Sequence, residues 1–169
     1  MKLWLIVTAF FLGCAHAQGE KLSPASPQAS QTCGLQEAEN ACPKTSCRIN
    51  YPATDQPCNA HATFVMDRPT ILVGDGPGSA IIWDAGIPGI WCKGNVAPNS
   101  TIQNMNLGSA SRAFGSDDGI WNQCYNMKIL DNYIVGFGRR AINTDTSDPG
   151  ANADGSRYVG NYLHFAHGD

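Results

Sequence analysis

The chain has 169 residues, 43% of them hydrophobic and 15% charged, with a formal net charge of −3. That is enough chain and apolar content for one domain with a sizeable core, and too much apolar content for a disordered chain. No Lys/Arg stripe or run is present, which excludes a nucleic-acid binder, and eighteen Gly with ten Pro point to many tight turns.

In chain order, residues 1–17 read as an export signal. Lys2 gives the positive start, and Leu3 to Leu12 is an apolar run too short to span a membrane. Ala15-His16-Ala17 offers a small-x-small cleavage site, so the mature chain is expected to begin at Gln18. Cys14, after Leu12-Gly13, marks the rival reading of a lipid-anchored protein; Phe11 stands where such signals usually carry Leu. The expected location is secreted, extracellular or periplasmic, with no membrane span. Residues 18–32, rich in Ser, Pro, Gln and Ala, read as a flexible leader. Cleavage leaves Cys33, Cys42, Cys47, Cys58, Cys92 and Cys124. An even number of cysteines in an exported chain predicts disulfides, with the pairing left open. No Cys-x-x-Cys occurs, so zinc is not expected.

Leu35 to Cys42 sets Leu35, Ala38 and Cys42 on one helical face. Strand character follows at Cys47 to Tyr51, Thr63 to Met66, Thr70 to Val73 and Ala80 to Trp83, with Gly74-Asp75-Gly76-Pro77-Gly78 as a turn. From there a repeat takes over. Gly89-Ile90-Trp91 returns as Gly119-Ile120-Trp121 after 30 residues, and as Ala141-Ile142-Asn143 after a further 22. Alternating with it is a second unit: Ile102 to Leu107, Ile129 to Ile134, and Tyr158 to Leu163. Constant strand pieces joined by variable loops fit a stack of coils, each burying its apolar face only when its neighbours cover it. A β-sandwich also uses short strands but does not predict shared residue types in columns. The expected core columns are Ile90, Ile120 and Ile142, and Ile102, Ile129 and Tyr158. The chain stops at His167-Gly168-Asp169, where another Gly-Ile unit is due, so residues 33–169 are expected to be the first coils of a longer domain.

The stretches Leu35-Gln36-Glu37-Ala38, Cys47 to Ala53 and Arg68 to Ile82, the last with Leu72-Val73-Gly74-Asp75-Gly76-Pro77-Gly78-Ser79, resemble the opening of pectate-lyase-like proteins of the pectin-lyase-like superfamily. The resemblance covers about residues 33 to 169. It implies an all-β fold, a right-handed parallel β-helix whose first coil is capped by a short helix. Tyr51-Pro52-Ala53 departs from the family pattern by running into a cysteine-bearing loop to Cys58. The fold carries lyases, hydrolases, epimerases and adhesins, so the resemblance speaks to fold far more than to chemistry.

Stacked coils place candidate residues in rows. Trp91 and Trp121 follow an inward Ile and are expected to point outward as an aromatic strip for sugar rings, with Asn143 at the next position. Asn132 and Asn161 are expected to form a structural corner stack. Asn143-Thr144-Asp145, Asp117-Asp118 and His167-Gly168 resemble polygalacturonase signatures, but in the wrong order and without Arg-Ile-Lys. The repeat sets Asp118 and Asp145 roughly 16 Å apart along the sheet, beyond the about 6.5–9.5 Å that inverting hydrolysis needs. Asp118 and Arg140 each lie two before their Ile, and Asp169 is due in the same row. Such a row fits β-elimination of a uronate, with Arg140 as base or carboxylate clamp and Asp118 and Asp117 as acid or calcium ligands. Asp145, Asp148 and Asp154 are further calcium candidates, and Asn99-Ser100-Thr101 is a glycosylation sequon. The expected partner is an acidic polysaccharide and the expected reaction lyase-type. The alternatives are a non-catalytic glycan-binding or adhesin-type module, or an inactive fragment of a longer enzyme.

Overall fold

The computed structural model of the chain describes residues 20–21, 30–111, 115 and 117–165. The stretch read as an export signal, Cys14, His167 and Asp169 lie outside them. The architecture is a parallel β-solenoid of about four turns. After a two-residue strand β1 (Glu20–Lys21) and the helix α1 (Leu35–Ala41), the first coil runs through β2 (Cys47–Tyr51), β3 (Cys58–Ala60) and β4 (Phe64–Met66). The second comprises β5 (Thr70–Gly74), β6 (Ala80–Trp83) and β7 (Ile90–Cys92). The third comprises β8 (Thr101–Gln103), β9 (Asn106–Ser109) and β10 (Asp118–Asn122). The fourth comprises β11 (Lys128–Leu130), β12 (Tyr133–Phe137) and β13 (Arg140–Asn143), and β14 (Arg157–Val159) and β15 (Tyr162–Phe165) begin a fifth.

Each coil therefore contributes to three parallel sheets, ordered β1-β2-β5-β8-β11-β14, β3-β6-β9-β12-β15 and β4-β7-β10-β13. The repeat in the sequence is the vertical register of these sheets. Phe64, Ile90, Ile120 and Ile142 pair in one column, and Ile49, Leu72, Ile102, Ile129 and Tyr158 in another. Burial follows the columns except in the last coils. Ile90 and Ile120 are fully buried, whereas Ile142 is partly buried and Tyr158 is 40% exposed, because no further described strand lies over them. The second repeat unit is two strands and a corner, not one strand. Asn104 and Asp131 take left-handed backbone at φ 55° and 54°, turning the chain from one sheet to the next within two residues.

At the other end, α1 covers the first coil. Leu35 is fully buried, and the helix's polar side chains satisfy the edge of β4: Gln36 Oε1 accepts from the Val65 amide at 3.2 Å, and Glu39 Oε2 from the Asp67 amide at 3.4 Å. An edge strand is thereby closed to foreign pairing. Glu39 is itself buried, which raises its carboxyl above the usual range, partly offset by the Thr70 hydroxyl donating at 2.8 Å. All six predicted cysteines are bridged, as Cys33–Cys58, Cys42–Cys47 and Cys92–Cys124. The asparagine corner is structural. Asn132 accepts from the Met105 amide and donates to the Ile102 carbonyl, both at 3.0 Å, and Asn161 bonds Asn132 in turn.

Candidate functional site

The outer face of the β4-β7-β10-β13 sheet holds most of the candidate residues. Trp91 and Trp121 occupy one outward column, with Val65 below and Asn143 above. Parallel in-register pairing brings identical aromatics face to face: the two rings are 4.8 Å apart at 9°. Each thus covers one face of the other, and Lys93 Nζ lies 4.9 Å from the Trp91 centroid. The strip presents a cation and ring edges rather than a row of free ring faces. Both indole N–H groups are spent within the protein, Trp91 on Gln123 Oε1 at 3.2 Å and Trp121 on the Asp145 carbonyl at 3.4 Å.

Gln123 is a residue that the sequence did not flag. It is fully buried, accepts from Trp91 and from the Gly94 amide, and donates to Asp148 Oδ2 at 2.6 Å and to the Asp145 carbonyl at 3.3 Å. One amide therefore ties the Trp column to the loop that begins at Asp145. Asp145 Oδ1 accepts from the Ser147 amide at 3.0 Å, which together with the Ser147 side chain holds its carboxyl below the usual range. Asp154 is exposed nearby in sequence, but no three His, Cys, Asp or Glu side chains converge as a metal cluster among the described residues. Asn99 is exposed, in left-handed backbone at φ 62°, with its amide oxygen accepting from Asn126 at 2.8 Å.

Asp118 and Arg140 pair in register, as the repeat implies; Asp169, due in the same row, is outside the described residues. Asp117 and Asp118 are adjacent in sequence but differ in surroundings. Asp117 is fully buried and fully engaged: Ser109 and Ser111 hydroxyls donate to Oδ2 at 2.9 and 2.7 Å, and the Gly138 amide to Oδ1 at 3.2 Å. It fastens the corner between β9 and β10 to the next coil. Asp118 is 1% exposed, and its Oδ2 accepts from Asn143 Nδ2 at 2.7 Å and from Arg139 Nη1 at 3.4 Å. Its Oδ1 is buried with no hydrogen-bond partner among the described residues. Burial raises its carboxyl above the usual range, against the opposing pull of Asn143 and the two arginines.

These contacts form a relay. Asn143 donates to the buried Asp118 and accepts from Arg140 Nη1 and from the Asp145 amide. Arg140 is exposed, so its guanidinium is steered along β13 toward the Trp column while the rest of its fork faces solvent. The sequence signalled Arg140 and Asp118 through register but gave no sign that Asn143 joins them.

The raised Asp118 carboxyl makes folding stability fall as pH rises. Below the unfolded value both states are protonated and Asp118 carries no penalty; as pH rises, the unfolded chain ionises first and stability falls. Asp118→Asn, which keeps an acceptor for Asn143 and Arg139, is therefore expected to melt higher than the parent at pH 7. The gap should close as pH falls toward 4, as followed by circular dichroism. A parent-like melting point at pH 7 would contradict this account of Asp118.

Comparison with protein-family models, with curated proteins and with solved structures finds no match. The fold and this site are what define the protein: a disulfide-bonded parallel β-solenoid with a tryptophan-bearing outer sheet on which Lys93, Arg139 and Arg140 stand among carboxylates. No helix among the described residues is long and apolar enough to cross a membrane.

Proposed function

We propose that this is an exported β-solenoid whose β4-β7-β10-β13 face grips an acidic polysaccharide. The observation that carries the reading is the Asp118–Asn143–Arg140 relay, which fixes one end of an exposed guanidinium whose other nitrogens bond no described residue. A guanidinium fork matches a carboxylate in charge and geometry. Arg139, 41% exposed but paired with Asp118, and Lys93 add cations on the same face, and the Trp91–Trp121 edges supply apolar contact beside it. Three disulfides suit the oxidising compartment in which such polymers occur.

The finer reading is a lyase, favoured by the buried Asp118 carboxylate that reaches Arg140 through Asn143. In β-elimination the uronate C5–H bond breaks and its proton passes to a base. The C4=C5 double bond forms, the C4–O bond breaks, and the departing oxygen takes a proton. Arg140 would serve as base or as the clamp that neutralises the carboxylate, with Asp118 holding its geometry through Asn143. The direct test is incubation of the mature protein with polygalacturonate or alginate, with and without calcium. The lyase reading predicts growing absorbance from unsaturated uronate. Binding without any absorbance would leave a non-catalytic glycan-binding or adhesin-type module, and neither binding nor absorbance would overturn both.

A further inference from the structure

The β3-β6-β9-β12-β15 sheet carries a second outward column, running Ala80, Asn106, Tyr133, Tyr162. Tyr133 and Tyr162 stack at 4.7 Å and 5°, and they are 45% and 55% exposed. Tyr162 covers one face of the Tyr133 ring. On the other side the next rungs are Asn106 and Ala80, too short to cover it. The ladder therefore lacks an aromatic rung, and the space forms a cleft of about 440 Å³ lined by Gly76, Pro77, Asn104, Asn106, Asp131 and Tyr133. The Asn104, Asn106 and Asp131 side chains make no hydrogen bond among the described residues. All three residues line the cleft, Asp131 with its Oδ1 close against Gly160 of the next coil.

We propose that this cleft binds a neutral hexopyranose unit of a glycan. The C–H face of the sugar takes the vacant rung against Tyr133, and its hydroxyls bond Asn104, Asn106 and Asp131. Amphipathic rings and planar amides serve such a ligand well, since a pyranose is apolar on its faces and polar at its rim. Charge sets the class. The lining carries one carboxylate, Asp131, and no cation, so a uronate is repelled here and a neutral sugar is not. The site is thus separate in place and in charge from the cation-bearing sheet around Arg140, and it stands whether or not that sheet binds polyuronate.

The test uses the mature protein with cellohexaose, mannohexaose and β-1,4-galactohexaose as neutral probes and hexagalacturonate as the anionic comparator, read by saturation-transfer NMR and titration. At least one neutral hexamer is expected to bind, undisplaced by hexagalacturonate. Tyr133→Ala should weaken it by about tenfold or more. Asn106→Tyr is the sharper variant: it fills the vacant rung, extends an existing tyrosine stack and should not lower the melting point, yet it should weaken binding as strongly. Arg140→Ala should leave neutral-sugar binding unchanged. The proposal is overturned if no neutral hexamer binds the parent, if hexagalacturonate displaces one that does, or if binding survives Asn106→Tyr.

Discussion

Gly119→Ala is expected to lose about 3 kcal/mol of stability or more, read as a large drop in the urea midpoint, because three atoms occupy the place of the new methyl. A Cβ at Gly119 would lie 2.5 Å from the Ala141 carbonyl oxygen, 2.8 Å from Ile134 Cγ2 and 2.9 Å from Phe137 Cδ2. The first is backbone of the next coil and cannot turn aside. The other two belong to buried side chains that are hemmed in by neighbours. The repeated Gly of the Gly-Ile-Trp unit therefore exists so that coils can approach, and Gly89 repeats the constraint with Gly119 O at 2.4 Å. Gly108→Ala is the control. Its Cβ would meet only Ile82 Cγ1 at 3.5 Å and Ile81 O at 3.9 Å, ordinary contacts. That variant should unfold like the parent or slightly later, since Ala also restricts the unfolded chain. A Gly119→Ala protein as stable as Gly108→Ala would contradict the coil spacing.

Replacing Cys92 and Cys124 together by Ala is expected to cost about 3–4 kcal/mol, the loop-closure value for a bridge of this span. The two are 32 residues apart in sequence with Cα atoms 5.8 Å apart, and both are fully buried. The Cys42–Cys47 bridge spans only 5 residues. Its removal should cost less by about 1.5 kcal/mol, from the difference in closure entropy alone. The longer bridge also bears on the site. Cys124 adjoins Gln123, the residue that holds both Trp91 and the loop beginning at Asp145. Tryptophan fluorescence in the double variant should therefore change before global unfolding, while Cys42→Ala/Cys47→Ala leaves it as in the parent. Equal losses from the two pairs in urea titration would contradict the argument.

The core columns were legible because parallel in-register pairing stacks like on like, so a vertical contact appears in sequence as repetition. That is why Ile90 and Ile120, Trp91 and Trp121, and Asp118 and Arg140 fall where the repeat sets them. The strand β3 was not legible. Cys58, Asn59 and Ala60 have no β-branched or aromatic residue, and their pairing with β6 is imposed by the coil. The corners at Asn104 and Asp131 were hidden because Asn and Asp enter left-handed backbone without a Gly or Pro to mark it; only the third copy marks its corner, with Gly160 at φ 69°. In the site, register exposed the Asp118–Arg140 row, but hydrogen bonds between coils decide what each side chain does. Asp117 is consumed by Ser109, Ser111 and Gly138, and Gln123 by the Trp91 indole, the Gly94 amide, Asp145 and Asp148; neither leaves a trace in spacing. The tyrosine cleft did leave one. Tyr133 and Tyr162 each precede an aliphatic residue of the inner column, Ile134 and Leu163. The reasoning that set Trp91 and Trp121 outward applies to them equally.

Arg140, oriented through Asn143 by the buried Asp118, is proposed to clamp a uronate carboxylate. The measurement that tests it most directly is the affinity of parent and Arg140→Ala for hexagalacturonate at low and high salt. Loss of a charge-assisted contact predicts about tenfold weaker binding or more in the variant. It also predicts a shallower salt dependence, since one fewer cation is being screened. Equal affinity and equal salt dependence in the two proteins would contradict the account.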